Sequence, residues 1–132
     1  MSDGLEINIP EVLAELTATF RLYDPALIAN DVDTLNKLFW NSTRVVRFGI
    51  TENLYGHDSI STYRRQDSLV GSVPPRTVTK ETITTFGRHF GTTNVEYEQT
   101  KSGRRGRQSQ TWMRTPEGWR IVSAHVSMLA DQ

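Results

Sequence analysis

Apolar side chains recur at helical spacing over the first third of the chain and alternate with polar ones over the last part, so helices should precede strands. Behind Pro10, a favourable first-turn residue, Val12, Leu13, Leu16, Phe20 and Tyr23 form a stripe that predicts a helix of about 14 residues ending at Tyr23. Asp24-Pro25 reads as an N-cap followed by a first-turn proline and restarts a short helix through Ile28. Asn30-Asp31 offers another cap, after which Val32, Leu35, Leu38 and Phe39 trace a third stripe that stops near residues 40–42. Residues 44–50, β-branched and aromatic, read as a strand, with a turn at Glu52-Asn53 before Leu54-Tyr55. After Gly56, Asp58 or Ser59 caps a helix carrying Ile60, Tyr63 and Arg64 on one face. Pro74-Pro75 in a Gly/Ser/Val setting marks a loop, and strands follow near 76–87, 89–100, 105–115 and 118–129. Turns at Ser102-Gly103 and Glu117-Gly118 join the last three. The expected class is α+β, a curved antiparallel sheet wrapped on N-terminal helices, which must enclose either side chains or a ligand cavity.

Length changes this picture little: 132 residues fit one domain, 1–132. No apolar run approaches the roughly 20 residues of a membrane span, and the first eight residues lack the basic cluster and apolar core of a secretory signal. A cytoplasmic protein is the expectation. Fifteen basic residues balance fifteen acidic ones, which argues against a nucleic-acid partner. There is no cysteine, hence no thiolate chemistry and no disulfide. His57, His89 and His125 have no metal-ligand spacing, so a metal is not expected. The turn Gly103-Arg104-Arg105-Gly106 lacks the strand-to-helix setting of a phosphate loop and reads as a hairpin tip. Twelve of the basic residues are Arg and three are Lys, a bias that either reflects base composition or supplies planar guanidiniums for carboxylates.

Three stretches resemble the SnoaL-like, nuclear-transport-factor-two-like superfamily: ALIANDVDTLNKLF at 26–39, LYGHDSISTYR at 54–64 and EGWRIVSAHVS at 117–127. Their order and spacing cover nearly the whole chain, and the resemblance implies a cone-shaped cystatin-like fold. FRLYDPALIANDVDTLNKLFW, RFGITENLYGHDSI and GRQSQTWMR are similar more narrowly to the oxalurate-catabolism (HpxZ-type) subfamily, which includes the amidase that converts 1,3-dicarboxyurea to allophanate. That resemblance implies a cofactor-free homodimer acting on a small anionic ureide, with the pocket tyrosine and strand arginine at Tyr23 and Arg47.

The residues themselves leave alternatives open. Tyr23 serves either as a functional phenol or as the core residue closing its stripe. Arg47 shares one side of its strand with Val45 and Gly49, and points either into the cone, where it needs an acid or a ligand carboxylate, or to solvent or a partner chain. Arg64, four residues after Ile60, is a second candidate clamp, whereas Arg65 projects to water. A guanidinium close to a phenol favours its phenolate, so Arg47 would orient a carboxylate and stabilise an oxyanion while Tyr23 acts as nucleophile or as base toward water. His125 and Ser127 share strand parity with Trp119 and Ile121 and are candidate pocket residues, with an ordinary core or surface histidine as the alternative. Arg107, Ser109 and Thr111 alternate with Gln108, Gln110 and Trp112, and either row can meet a cavity; Ser109 and Trp112 are taken as substrate-binding candidates. The leading expectation is an amide-cleaving hydrolase of carboxylated ureides; an anion-binding accessory protein and an isomerase or dehydratase are the alternatives.

Overall fold

The computed structural model describes residues 5–66 and 73–130. The Gly/Ser approach to the Pro74-Pro75 loop and the extreme amino terminus lie outside them. Among the described residues, four helices and six strands follow in the order α1 (Pro10–Phe20), α2 (Tyr23–Ala29), α3 (Val32–Leu38), β1 (Val46–Phe48), β2 (Asn53–Tyr55), α4 (His57–Arg64), β3 (Arg76–Phe86), β4 (Phe90–Gln99), β5 (Arg105–Thr115) and β6 (Gly118–Met128).

The sheet runs β2-β1-β6-β5-β4-β3, antiparallel at every pairing except β1 beside β6, which is parallel. Thr79 and Val122 are extra residues in their ladders, between Val78 and Lys80 on β3 and opposite the Thr111/Trp112 step on β6. Such bulges bend a strand and sharpen its twist, so they curl the sheet round the helices. The α+β architecture, a curved sheet wrapped on N-terminal helices, is therefore present as the residue pattern predicts.

Val12, Leu16 and Phe20, one α1 stripe at four-residue spacing, are buried on the sheet, where Phe20 meets Trp112 edge-on at 6.5 Å. Gly91 permits this approach, because a Cβ there would strike Leu16 Cδ2 and the Thr84 carbonyl oxygen. The first helix stops at Phe20, three residues before the predicted end. Pro25 explains the break: its ring clashes with the carbonyl four residues back, at Arg21, and it has no N–H to bond it. Tyr23 thus opens α2 instead of closing α1. Asp31 caps α3 as expected, accepting from the Thr34 backbone N–H at 3.2 Å. The cap of α4 is Gly56, at φ +86°, not Asp58 or Ser59. The turn after β1 spans Gly49 to Glu52, closed by Gly49 N–H donating to the Glu52 carbonyl at 2.8 Å, so it centres on Ile50-Thr51, two residues earlier than predicted. Among the described residues no helix is long and apolar enough to cross a membrane.

Candidate functional site

The open side of the curled sheet and the helices α2 and α4 enclose a cavity of about 280 Å³, whose lining includes Asn30, Arg47, Glu52, Tyr63, Arg64, Arg76, Tyr97 and Gln108. Three arginines reach it from three elements. Arg47 comes from β1, where the alternation turns Val46 and Phe48 the other way. Arg64 follows Ile60 by one helical turn, so both are buried on the inner face of α4, and its charge sits at the favourable carboxyl end of that helix. Asn30, left-handed at φ 50°, ends α2 and donates from Nδ2 to the Arg64 carbonyl at 3.1 Å, tying the two helix ends together. Arg76 starts β3.

Two of the three guanidiniums have carboxylate partners. Arg47 Nη1 donates to Glu52 Oε2 at 2.7 Å. Arg76 donates to both Asp24 oxygens, at 2.6 and 3.3 Å, and to Gln108 Oε1 at 3.3 Å, while lying 4.2 Å over the Tyr97 ring. Gly106 is what lets Tyr97 lie there, since a Cβ at that position would meet the phenol ring. Among the described residues Arg64 has no such partner: it is 2% exposed, and its Nε and Nη2 are buried without a hydrogen bond. The ring of Tyr63 lies between Arg47 and Arg64, 5.7 and 5.8 Å from their guanidinium carbons.

The proton affinities follow this arrangement. Burial works against the charge on Arg47, but Tyr23, Glu52 and Tyr63 outweigh it and leave its pKa raised. Burial likewise opposes the charge on Arg76, and Asp24 more than offsets it. For Arg64 burial prevails, aided by repulsion from Arg47, and the pKa is lowered. Burial pushes the Glu52 carboxyl up, yet hydrogen bonds from Thr51 and Arg47 bring it below the ordinary value. Tyr63 is raised by burial and then by the neighbouring Glu52 charge. Among the described residues three guanidiniums face two carboxylates, which leaves one positive charge unmatched.

Arg47 and Arg64 therefore converge as the residue pattern allowed, and the electrostatic influence of Tyr23 reaches Arg47, Arg64 and Arg76. Tyr23 is itself 2% exposed and packs edge-on to Phe39 at 6.4 Å, beneath the cavity wall and not among the residues that line it. The remaining candidates lie elsewhere. Trp112 points inward but is consumed by the core, its Nε1 donating to Thr93 Oγ1 at 3.0 Å. Ser109 is exposed on the outer face and donates to Asn94 Oδ1 at 2.6 Å. Val122 corrects the parity assumed for β6: as an extra residue it turns His125 and Ser127 to the face opposite Trp119 and Ile121, beside Ser109 and Arg107. His125 there meets Phe48 edge-on at 5.6 Å.

Glu52, Asp24, Arg76 and Gln108 were not singled out from the sequence. Glu52 and Asp24 read as turn and cap residues, and the Asp24–Arg76 contact spans 52 positions that no local pattern connects. The Gln108/Gln110/Trp112 row was visible, and the structure selects it as the inward one. A larger groove of about 820 Å³ runs past Lys37, His57 and Arg120. Of the groups along it, His57 Nε2 meets the Asn36 carbonyl at 2.8 Å, Arg114 pairs with Glu15 at 2.8 Å, and Arg120 donates to the Trp119 and Glu117 carbonyls. Among the described residues no three His, Asp or Glu side chains converge as a metal site.

The chain matches the AtzH-like family model over residues 5–132. It is similar to a crystal structure of a DUF3225-family protein of unknown function from Pectobacterium atrosepticum, at 42% identity over 94% of this chain and 95% of that one, with a TM-score of 0.85. A cystatin-like fold protein from Burkholderia xenovorans is 38% identical over 97% of this chain and 99% of that one, again with a TM-score of 0.85. A nuclear transport factor 2-like superfamily protein from Salmonella enterica shares the fold at 20% identity, covering 92% and 94% of the two chains with a TM-score of 0.73. Comparison with functionally curated proteins gives no match. With the family pattern spanning its whole described length and a fold shared with these relatives, the chain belongs to the AtzH-like family.

Proposed function

We propose that the protein is a hydrolase of small carboxylated ureides, holding the substrate carboxylate on Arg64 and cleaving a C–N bond beside it. The observation that supports this most is the unmatched charge of the cavity, concentrated on a buried guanidinium whose Nε and Nη2 have no protein partner. A planar carboxylate matches that pair of donors in geometry and charge. A volume of about 280 Å³ suits a molecule of this small size. The substrate assigned is of the 1,3-dicarboxyurea type, for which water adds to a terminal carboxyl carbon, the C–N bond breaks, and the freed nitrogen takes a proton to give allophanate and bicarbonate. Arg47, held by Glu52, stabilises the negative charge that develops on oxygen as water adds. Tyr23, buried at the start of α2 behind the cavity wall, is the group assigned to take the proton from water or to attack directly.

The binding-only alternative draws support from Tyr23 lying outside the cavity lining. An isomerase or dehydratase would need His125 as its acid–base group, and His125 occupies the outer face. Turnover decides between hydrolase and binder: 1,3-dicarboxyurea is incubated with the wild type, Tyr23→Phe and Tyr63→Phe, and allophanate is quantified. Wild-type turnover that falls at least about a hundredfold in Tyr23→Phe supports the assignment. Ligand-induced stabilisation without product selects the binder.

A further inference from the structure

Gln108 lines the same cavity on β5, and its two amide ends have different fates. Oε1 accepts from Arg76 Nη2 at 3.3 Å, and since a guanidinium can only donate, the amide must turn its oxygen to Arg76 and its NH₂ away. That NH₂ nitrogen is buried with no hydrogen-bond partner, on a residue 4% exposed. Arg76 is immobilised in turn by Asp24 and by stacking on Tyr97, so the orientation of the amide is fixed from several sides. A buried N–H₂ without an acceptor is costly, and a ligand carbonyl oxygen is the neutral group that satisfies it.

We infer that Gln108 is a specificity-determining residue that donates to a carbonyl of the ligand adjacent to the carboxylate held by Arg64, with Arg76 as the residue that positions its amide. The inference rests on the reading of the cavity as a carboxylate site and narrows the ligand class, from small carboxylates in general to carboxylates with a neighbouring amide or ureido carbonyl. A site built to hydrogen-bond a group discriminates against analogues that lack it, because its own buried donor is then left unpaired.

Isothermal titration of the full chain with malonamate, which carries both groups, and propionate, which carries the carboxylate alone, tests this. The wild type should prefer malonamate by about tenfold, the worth of one such bond. Gln108→Met, close in shape but without a donor, should bring the two affinities together, read as the ratio of the two dissociation constants in the same variant. Gln108→Asn keeps a polar amide that packs without difficulty but withdraws it by one methylene, and should also lose the preference. Persistence of the preference in both variants, or an equal loss for both ligands, overturns the role of Gln108. A wild type that binds propionate and malonamate equally refutes the inference and leaves the carboxylate site intact, whereas a wild type that binds neither removes both.

Discussion

Replacing Arg64 with methionine should make the ligand-free protein more stable and unable to hold its anion. The guanidinium is 2% exposed and leaves Nε and Nη2 unpaired, and each orphaned donor costs about 1–3 kcal/mol. Methionine fills much of the same volume without those donors and ends the repulsion from Arg47. Against this stands the loss of the contact with the Tyr63 ring, about 0.5–2 kcal/mol. At the middle of these ranges, two donors at about 2 kcal/mol each less about 1 kcal/mol for the ring contact, the balance is a gain of about 3 kcal/mol. For a chain of 132 residues each kcal/mol moves the melting temperature by about 4 °C, so Tm should rise by at least about 4 °C. The assay is calorimetric unfolding with and without a saturating small carboxylate. The wild type should gain stability from the anion and Arg64→Met should not, the signature of a group retained for binding at the expense of the fold. A lowered Tm in the ligand-free variant, or a stabilisation by anion equal to that of the wild type, refutes the reasoning.

Glu52→Gln leaves Arg47 without its acid and should cost about 1–3 kcal/mol at neutral pH by denaturant unfolding. Because Glu52 holds its proton less tightly in the fold than in the unfolded chain, its contribution is complete above the ordinary glutamate value of about 4.3. It is lost as pH falls below that value through the lower folded one, and the variant should show a flatter loss of stability there. Asp24→Asn withdraws the charge that holds Arg76 and should destabilise by about 1–3 kcal/mol, read by thermal unfolding, with a loss of malonamate preference if Gln108 depends on Arg76. Gly106→Ala would push the Tyr97 ring from beneath Arg76 and should cost about 1–3 kcal/mol, checked by the same measurement.

Periodicity carried much of this structure. The stripe of Val12, Leu16 and Phe20 and the Asp31 cap are local in origin, and the four long strands lie within one residue of the predicted limits because alternation and glycine turns define them. Arg64 was legible as an inward residue for the same reason, since it shares a helix face with Ile60, whereas alternation left Arg47 open between the cone and solvent and the structure turns it inward. The errors arise where geometry is set by a single unpatterned event. One extra residue at Val122 reverses the faces beyond it, so His125 and Ser127 leave the side that strict alternation assigned them. Pro25 acts four residues upstream and hands Tyr23 to the next helix. On β5 both rows are polar, so composition had no means of choosing Gln108 over Ser109; only the closure of the sheet under α2 and α4 does. The partners of the arginines, Glu52 and Asp24, resembled ordinary turn and cap residues because their role depends on contacts made after folding.

The most direct test of the carboxylate site is a crystal structure of the protein grown with malonamate. The account predicts the ligand in the cavity between α2, α4 and the sheet, its carboxylate oxygens about 2.7–2.9 Å from Arg64 Nε and Nη2. A ligand bound instead in the groove beside Lys37 and Arg120, or an Arg64 guanidinium paired with a protein carboxylate while the cavity stays without ligand, would contradict it.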